Sequence, residues 1–582
     1  MSDIPRPEYP RPDFVRKDWL NLNGTWDFDF DDDNVGESQK WYLNHNFAEK
    51  IVVPFCFESE LSGIGDTSRH DHIWYKRAFS VPAAWKSKRV FLHFGAVDYI
   101  AKVWINGIYV GSHKGGHTPF SFDITDALKW DGNEMLVVKA DDISADKKQA
   151  RGKQTWMDEP FGCWYTRTSG IWQTVWLEPV DERHIKGVHI TPDIDRREID
   201  IEIRVSEKAI GCSVKTDISF QGISISSSTL KCIGANLKFS MNVESKDFEW
   251  GIRLWSPESP NLYDIEFALI DNSGLVIDKV SSYFGMRKVS VKDGRVLLNN
   301  HPYYQKLILD QGYFPKSNLT APDEEALIND IKMTKAFGYN GVRKHQKVED
   351  PVYLYWCDRL GLLVWGEMAS FYEFSAEAAN TYIKEWQEII ERDYNHPCII
   401  AWTPFNESWG VPDILVDKAQ QDYTVAVVNM IRSLDSTRLV ISNDGWEHTD
   451  TDLCTIHDYR ADGDDFIKAY ADKEKMLNGA PAGRFIFASG YSYKGQPVLI
   501  TEYGGIAFES DKGWGYGKGV ADEEEFLERF KKITHAIMST DYICGFCYTQ
   551  LTDVQQEVNG LLTYDRKPKI QPEKIKAINE GR

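Results

Sequence analysis

Nowhere in its 582 residues does the chain run through about 18 consecutive apolar side chains, the length a membrane-spanning helix needs. Its first residues, MSDIPRPEYPRPDF, put Pro and charge where a secretory signal needs an apolar stretch. Basic residues are in deficit: 67 Lys and Arg stand against 88 Asp and Glu, a formal net charge of −21. A surface so acidic repels phosphate backbones and anionic lipid, so neither nucleic acid nor a membrane surface is an expected partner. The 9 Cys form no regular framework, and the odd count fits free thiols in a reducing compartment. The one CxxC spacing, Cys544 and Cys547, falls in an apolar run that reads as a buried strand, not a redox motif. These absences predict a cytoplasmic protein and leave its oligomeric state open, a homo-oligomer included.

What is plentiful is aromatic: 20 Trp and 27 Tyr. Such residues serve either a core or a carbohydrate site, where an aromatic face packs on the apolar C–H face of a pyranose. Residues 1–180 read as short alternating strands, among them VFLHFGAV (90–97) and EMLVVKADD (134–142). The turn pairs Asn106-Gly107 and Asp131-Gly132 tolerate positive φ and separate them. The pattern predicts a β-sandwich. Residues 181–287 continue with about seven strands over roughly 100 residues, which fits a smaller immunoglobulin-like sandwich.

From 288 to 582 the texture changes. Eight short apolar strands alternate with amphipathic helices: YYQKLILD, NGVRKH, LLVWGEM, CIIAWTPF, RLVIS, LCTIHDY, PVLITEY and YICGFCY. In the helical segment 324–337, Leu327, Ile328, Ile331 and Thr334 share one face. Eight such units are the signature of a (β/α)8 TIM barrel. An open doubly wound sheet would carry a glycine-rich phosphate turn, and none is evident.

Chemistry in such barrels sits at the C-terminal ends of the strands. Four acids fall there: Asp310 after the first strand, Glu367 after the third, Glu407 after the fourth and Glu502 ending the seventh. Strands four and seven face each other across the mouth, so Glu407 and Glu502 can meet. Two carboxylates about 5–5.5 Å apart hydrolyse a glycoside with retention, one as nucleophile and one as acid and then base. Their surroundings should keep Glu502 ionised and Glu407 protonated until needed. Either Glu could instead serve a rim salt bridge.

The segments LNGTWDFDFD (22–31), GIWQTVWLEP, YFGMRKVSVKDGRVLLNNHPYY (283–304) and RDYNHPCIIAWTPFNESWG (392–410) resemble glycoside hydrolase family 2. That family contains β-galactosidases, β-glucuronidases and β-mannosidases. The resemblance covers essentially the whole chain and implies a jelly-roll sandwich, an immunoglobulin-like sandwich and a catalytic barrel. It implies that Glu407, in the pair Asn406-Glu407, is the acid/base and Glu502, before Tyr503-Gly504, the nucleophile. Arg343 and His345 resemble the family's Arg and His after strand two. Asn406 is expected to bond the sugar 2-hydroxyl, and Tyr459, with His457 nearby, either the nucleophile or the core. Tyr548 stands near a family Trp platform, and Trp409 and Trp446 are rim aromatics with substrate contact in view.

Where family β-glucuronidases carry Asn-x-Lys, this chain has Asn559 followed by Gly560 and Leu561, which disfavours ordinary glucuronidase activity. The cluster Arg343, Lys344, His345 and Lys347 offers another receiver for a sugar carboxylate, although Lys344 and Lys347 read more simply as solvated loop charges. Large β-galactosidases of the family bind magnesium through an acidic and His motif after strand three; VWGEMASFYEF keeps Glu367 without a following His, so by that resemblance no metal is expected, and no cofactor. The expectation is a β-galactosidase-like retaining exo-glycosidase acting on a carbohydrate. Uronides, α-L-arabinosides and β-galactofuranosides are alternatives, and a non-catalytic carbohydrate-binding protein is the alternative of another class. The aromatic loop 153–167, with Trp156, Trp164 and Tyr165, is the expected reach of the first sandwich toward the pocket.

Overall fold

The computed structural model describes residues 4–510 and 512–581. In the first sandwich a six-stranded antiparallel sheet faces a four-stranded one. Trp26, Phe28, Tyr75, Leu92, Phe94 and Val138 fill the space between them. The Asn106-Gly107 pair, at φ 52° and 80°, turns the chain between Ile100–Ile105 and Ile108–Lys114. Asn106 Oδ1 also accepts the Met135 N–H at 2.9 Å, which ties that turn to the neighbouring strand. The second sandwich sets three strands against four. Glu198–Val205 and Ser213–Phe220 bury every second residue, so one face of each strand enters a core that includes Ile201, Phe220 and Phe267.

The third region is the TIM barrel. Its parallel strands are β1 (Gln305–Asp310), β2 (Gly341–Lys344), β3 (Leu363–Glu367), β4 (Ile399–Thr403), β5 (Leu439–Val440), β6 (Cys454–His457), β7 (Val498–Gly504) and β8 (Ile543–Thr549). They are hydrogen-bonded in the order β5-β4-β3-β2-β1-β8-β7-β6. Among the described residues β5 and β6 are not paired, since β5 is only two residues long. Helices α1 (Glu324–Ala336), α2 (Pro351–Leu360), α3 (Ala376–Asp393) and α4 (Lys418–Leu434) follow β1 to β4. Each is entered through an Asp or Ser, Asp323, Asp350, Ser375 and Asp417, whose side chain accepts a first-turn N–H. In α1, Leu327, Ile328, Ile331 and Thr334 are buried together. Cys544 and Cys547 are buried free thiols on β8.

The 153–167 loop of the first sandwich lies on the barrel mouth. Gln556 Nε2 donates to the carbonyls of Gly162 and Trp164, each at 2.9 Å, and Trp514 Nε1 donates to Gly162 O at 2.9 Å. Trp164 stacks on Trp409 at 5.6 Å, and its Nε1 donates to the Tyr372 hydroxyl at 2.8 Å. Tyr165 is fully buried with its hydroxyl on Glu557. It therefore packs at the domain contact instead of facing a pocket.

Candidate active site

Just beyond β4 the backbone takes a form that side chains disfavour. Glu407 and Ser408 sit at φ 53° and 62°, left-handed conformations that cost about 1–3 kcal/mol each and persist only where neighbours fix them. Here the Glu407 N–H reaches Asp444 O at 2.9 Å and the Ser408 N–H reaches Asn443 Oδ1 at 2.9 Å. Ser408 Oγ donates to Glu447 Oε2 at 2.6 Å. The result turns the Glu407 carboxylate toward β7 while its side chain stays 21% exposed.

Opposite, Glu502 is held from two sides. Arg343 Nη1 donates to Oε1 at 2.9 Å and the Tyr459 hydroxyl to Oε2 at 2.5 Å. Oxygens of Glu407 and Glu502 and a ring nitrogen of His457 all lie within 4.8 Å of one another. Arg343 is wholly buried and its planar fork is fully used. Nε meets Glu367 Oε2 at 2.8 Å, Nη1 also meets Asp444 Oδ2 at 2.7 Å, and Nη2 meets Asn406 Oδ1 at 2.6 Å. Because Asn406 Oδ1 is claimed by Arg343, its Nδ2 amide is turned away and has no partner among the described residues.

His457 Nδ1 lies 2.8 Å from Glu407 Oε1 and Nε2 lies 2.9 Å from Asp444 Oδ2. Burial opposes a charge on this ring. The Glu502 and Asp444 charges, with the hydrogen bonds to Asp444 and Glu407, nevertheless push it up to about 10. For Glu407 burial alone would raise the carboxyl, but His457, then Lys153 and Arg343, hold it below its ordinary value. This differs from the expectation of a protonated Glu407: His457 and the nearby cations favour its carboxylate form. The same three groups are those whose donor atoms come close enough to hold an ion. Both nitrogens of His457 face carboxylates, so a cation would compete with its protons.

Several expected substrate contacts lie elsewhere. Asp310 is buried, with Oδ2 on Lys344 and Oδ1 accepting the Gly312 N–H, outside the gap between Glu407 and Glu502. Glu367 has no exposed side-chain surface and is spent on Arg343, His345 and the Gln346 N–H, so it supports Arg343 from behind. Tyr548 is fully buried, packed edge-on against Phe530 and Tyr503, and cannot serve as a platform. Lys344 and Lys347 are not solvated loop charges. Both are buried, Lys344 against Asp310 and Glu349, and Lys347 against Glu349 and the carbonyls of Gly312 and Leu319. They are saturated there and cannot receive a sugar carboxylate. His345 is buried beside Arg343 and Glu367, and burial with the Arg343 charge keeps it neutral, well below the ordinary imidazole range.

Trp409 and Trp446 are half-buried at the mouth. The Trp446 indole N–H has no partner among the described residues, and its ring lies edge-on to His457 at 5.5 Å. Four residues at the site escaped the sequence reading. Asp444 follows β5 and obeys the same strand-end rule that marks Glu407. Tyr516 stacks on Tyr459 from the loop after β7, and Glu557 comes from the loop after β8. Lys153, 8% exposed, brings its ammonium 4.6 Å over the Trp409 ring and forms no ion pair among the described residues. A cleft of about 580 Å³ lies between the two sandwiches, but its Arg16 and Glu178 are already bonded to each other.

Comparison with known proteins matches all three regions. Residues 19–178 match the sugar binding domain of glycosyl hydrolases family 2, 183–287 a further model described as glycosyl hydrolases family 2, and 289–580 the family's TIM barrel domain. A β-galactosidase of Thermoanaerobacter pseudethanolicus is 30% identical over 67% of this chain, which spans about half (51%) of that protein. A β-glucuronidase of Paenibacillus borealis is 25% identical over 94% of both chains. Among solved structures, a β-glucuronidase from Ruminococcus gnavus in complex with D-glucuronic acid superposes with a TM-score of 0.79 at 20% identity, over 99% of this chain and 100% of that one. A β-galacturonidase from Eisenbergiella tayi bound to glycerol gives 0.74 at 21% identity, over 99% and 98%. At these identities the structures speak for the fold. No helix among the described residues is long and apolar enough to cross a membrane.

Proposed function

The chain belongs to glycosyl hydrolases family 2, and from that premise we propose that it is a retaining exo-glycosidase working by double displacement. The observation that carries the reading is the approach of Glu407 and Glu502 oxygens to within 4.8 Å. That fits the short separation of retaining enzymes, not the 6.5–9.5 Å or so that an interposed water needs. Glu502, its oxygens ordered by Arg343 and Tyr459, attacks the anomeric carbon. Glu407 in its protonated form gives the leaving oxygen a proton, then as carboxylate takes one from the water that releases the sugar. The unpartnered Asn406 Nδ2 is suited to the 2-hydroxyl and the Trp446 N–H to a further sugar oxygen. The 153–167 loop, bonded to the barrel at Gly162 and Trp164, narrows the mouth and supports a pocket for one terminal sugar.

For the sugar itself, a neutral β-galactoside is the first reading. Glu407, Glu502, Glu557 and Asp444 outnumber the cations Arg343, His457 and Lys153 around the gap, which disfavours adding another anion. Lys153 favours a second reading, a uronide, because a buried ammonium without a carboxylate partner suits one. A nitrophenyl glycoside panel tests both. Release of nitrophenol from a neutral glycoside, unaffected by adding a carboxylate-bearing competitor, supports the first. Preferential cleavage of a uronide, lost in Lys153→Met, supports the second. No turnover of any glycoside would leave a carbohydrate-binding protein and contradict the enzyme reading.

A further inference from the structure

The two ring nitrogens of His457 are both occupied by carboxylates, Glu407 at 2.8 Å and Asp444 at 2.9 Å. With Glu407 and Asp444 both as carboxylates, which accept and do not donate, the two contacts take two N–H groups and hence an imidazolium. The ring cannot turn away. Its edge faces Trp446, and Gly445, at φ 104°, lies so close that a Cβ there would come within 2.7 Å of Nδ1. Asp444 cannot turn either: Oδ1 accepts from Thr501 Oγ1 at 2.9 Å and Oδ2 pairs with Arg343 at 2.7 Å. The backbone carbonyl of Asp444 also holds the Glu407 N–H. One residue thus fixes Glu407 by two routes, through its main chain and through His457.

We propose that His457, braced by Asp444, grips Glu407 by Oε1 and sets the pH range over which Glu407 can act as an acid. The inference rests on the reading of Glu407 as acid/base. The grip leaves Oε2 for the leaving oxygen and then for water, and it favours the carboxylate form of Glu407. That form is what the second, water-activating step needs, and it is a handicap for the first. Proton donation therefore fails early on the alkaline side, and the enzyme works best in acid.

The charged groups around the ring act together in this. Glu407, Asp444 and Glu502, the last at 3.6 Å, favour the cation, while Arg343 Nη1 at 3.4 Å opposes it. His345 and His448 nearby are neutral, burial keeping the first well below the usual range and bringing the second to about 4. Lys153, facing Glu407 from the sandwich loop, adds to the pull on the carboxylate.

The test is the pH profile of kcat/KM on a nitrophenyl glycoside that the enzyme cleaves, for the wild type, His457→Asn and Asp444→Asn. Asn at 457 can keep a neutral N–H toward Glu407, and Asn at 444 removes one of the two charges, with Glu502, that sustain the imidazolium. Losing an opposite charge at this distance raises a carboxyl by about 1–3 units. The alkaline limb should move upward by that amount in both variants, whatever happens to the maximum. Because a limb position does not depend on how much protein is folded, a poorly folding variant still reports. A lowered maximum with an unmoved limb in both variants would make His457 merely structural and overturn the proposal. Glu407→Gln separates the two levels. If it spares dinitrophenyl substrates relative to poor leaving groups, the acid assignment holds and the limb decides on His457; equal losses on both overturn the assignment beneath it.

Discussion

Two ionic clusters meet at β2, one on each side of the strand. Arg343 points into the mouth, where it joins Glu502, Asp444, Glu367 and Asn406. Lys344, the next residue, points the other way and is enclosed by Asp310 and Glu349. Both clusters are buried and both mix charges of either sign. What separates them is what remains unspent. Around Arg343, Glu407 is still partly exposed and Asn406 Nδ2 has no partner among the described residues. Around Lys344 and Lys347, each ammonium is spent on carboxylates or carbonyls. Buried charge alone therefore does not mark a functional site. A buried network with one open face does.

The largest effect expected from this contrast is on the open side. Glu502→Ala should cost at least about 10⁴-fold in kcat, and added azide should restore turnover with an inverted product. Azide rescue with retained configuration would move the nucleophile elsewhere. On the closed side, Lys344→Met should cost about 3–5 kcal/mol of stability by stranding Asp310 and Glu349. The folded fraction should keep its kcat/KM within a few-fold; denaturant titration with activity measured alongside checks both parts. A loss of activity in step with Arg343→Met would erase the distinction between the clusters.

The clusters should also part company with pH. Burial opposes the Glu349 charge, but Lys344 and Lys347 bring its carboxyl down to about 2. Its stabilisation is thus complete above the ordinary 4.5 and lost as pH falls through about 2. His457 is raised to about 10, so its contribution is complete below 6.5 and lost as pH climbs through about 10. Denaturation midpoints against pH should show the acid slope weakened in Glu349→Gln and the alkaline slope weakened in His457→Asn. The reverse pattern would misassign both. The smallest effect is Tyr459→Phe, which removes one hydrogen bond to a charged oxygen and should lower kcat by about 10- to 100-fold with KM little changed. An unchanged kcat would leave Tyr459 a packing residue against Tyr516.

The barrel and the meeting of Glu407 and Glu502 at its mouth were legible because they follow from periodicity and from one positional rule, acids at strand ends. The same rule misfired at Asp310 and Glu367, since a strand end fixes the rim but not the direction in which a side chain turns. RKHQK looked like one basic patch because its charges were read together, although β2 runs to Lys344 and its pleat divides Arg343 from its neighbour. Asp444 stands two residues beyond RLVIS, as Glu407 stands two beyond CIIAWTPF, so the same rule could have found it. Lys153 belongs to another domain, and Tyr516 to a loop without regular period, so only the fold brings them to the mouth. The ionisation of Glu407 depends on His457 at 2.8 Å, a distance no spacing along the chain encodes.

The central claim is that Glu407 and Glu502 carry out a double displacement. Proton NMR of the first-formed sugar, recorded before mutarotation, tests it most directly. The account predicts that the released sugar appears in the anomeric configuration of the substrate. First appearance of the opposite anomer would contradict it.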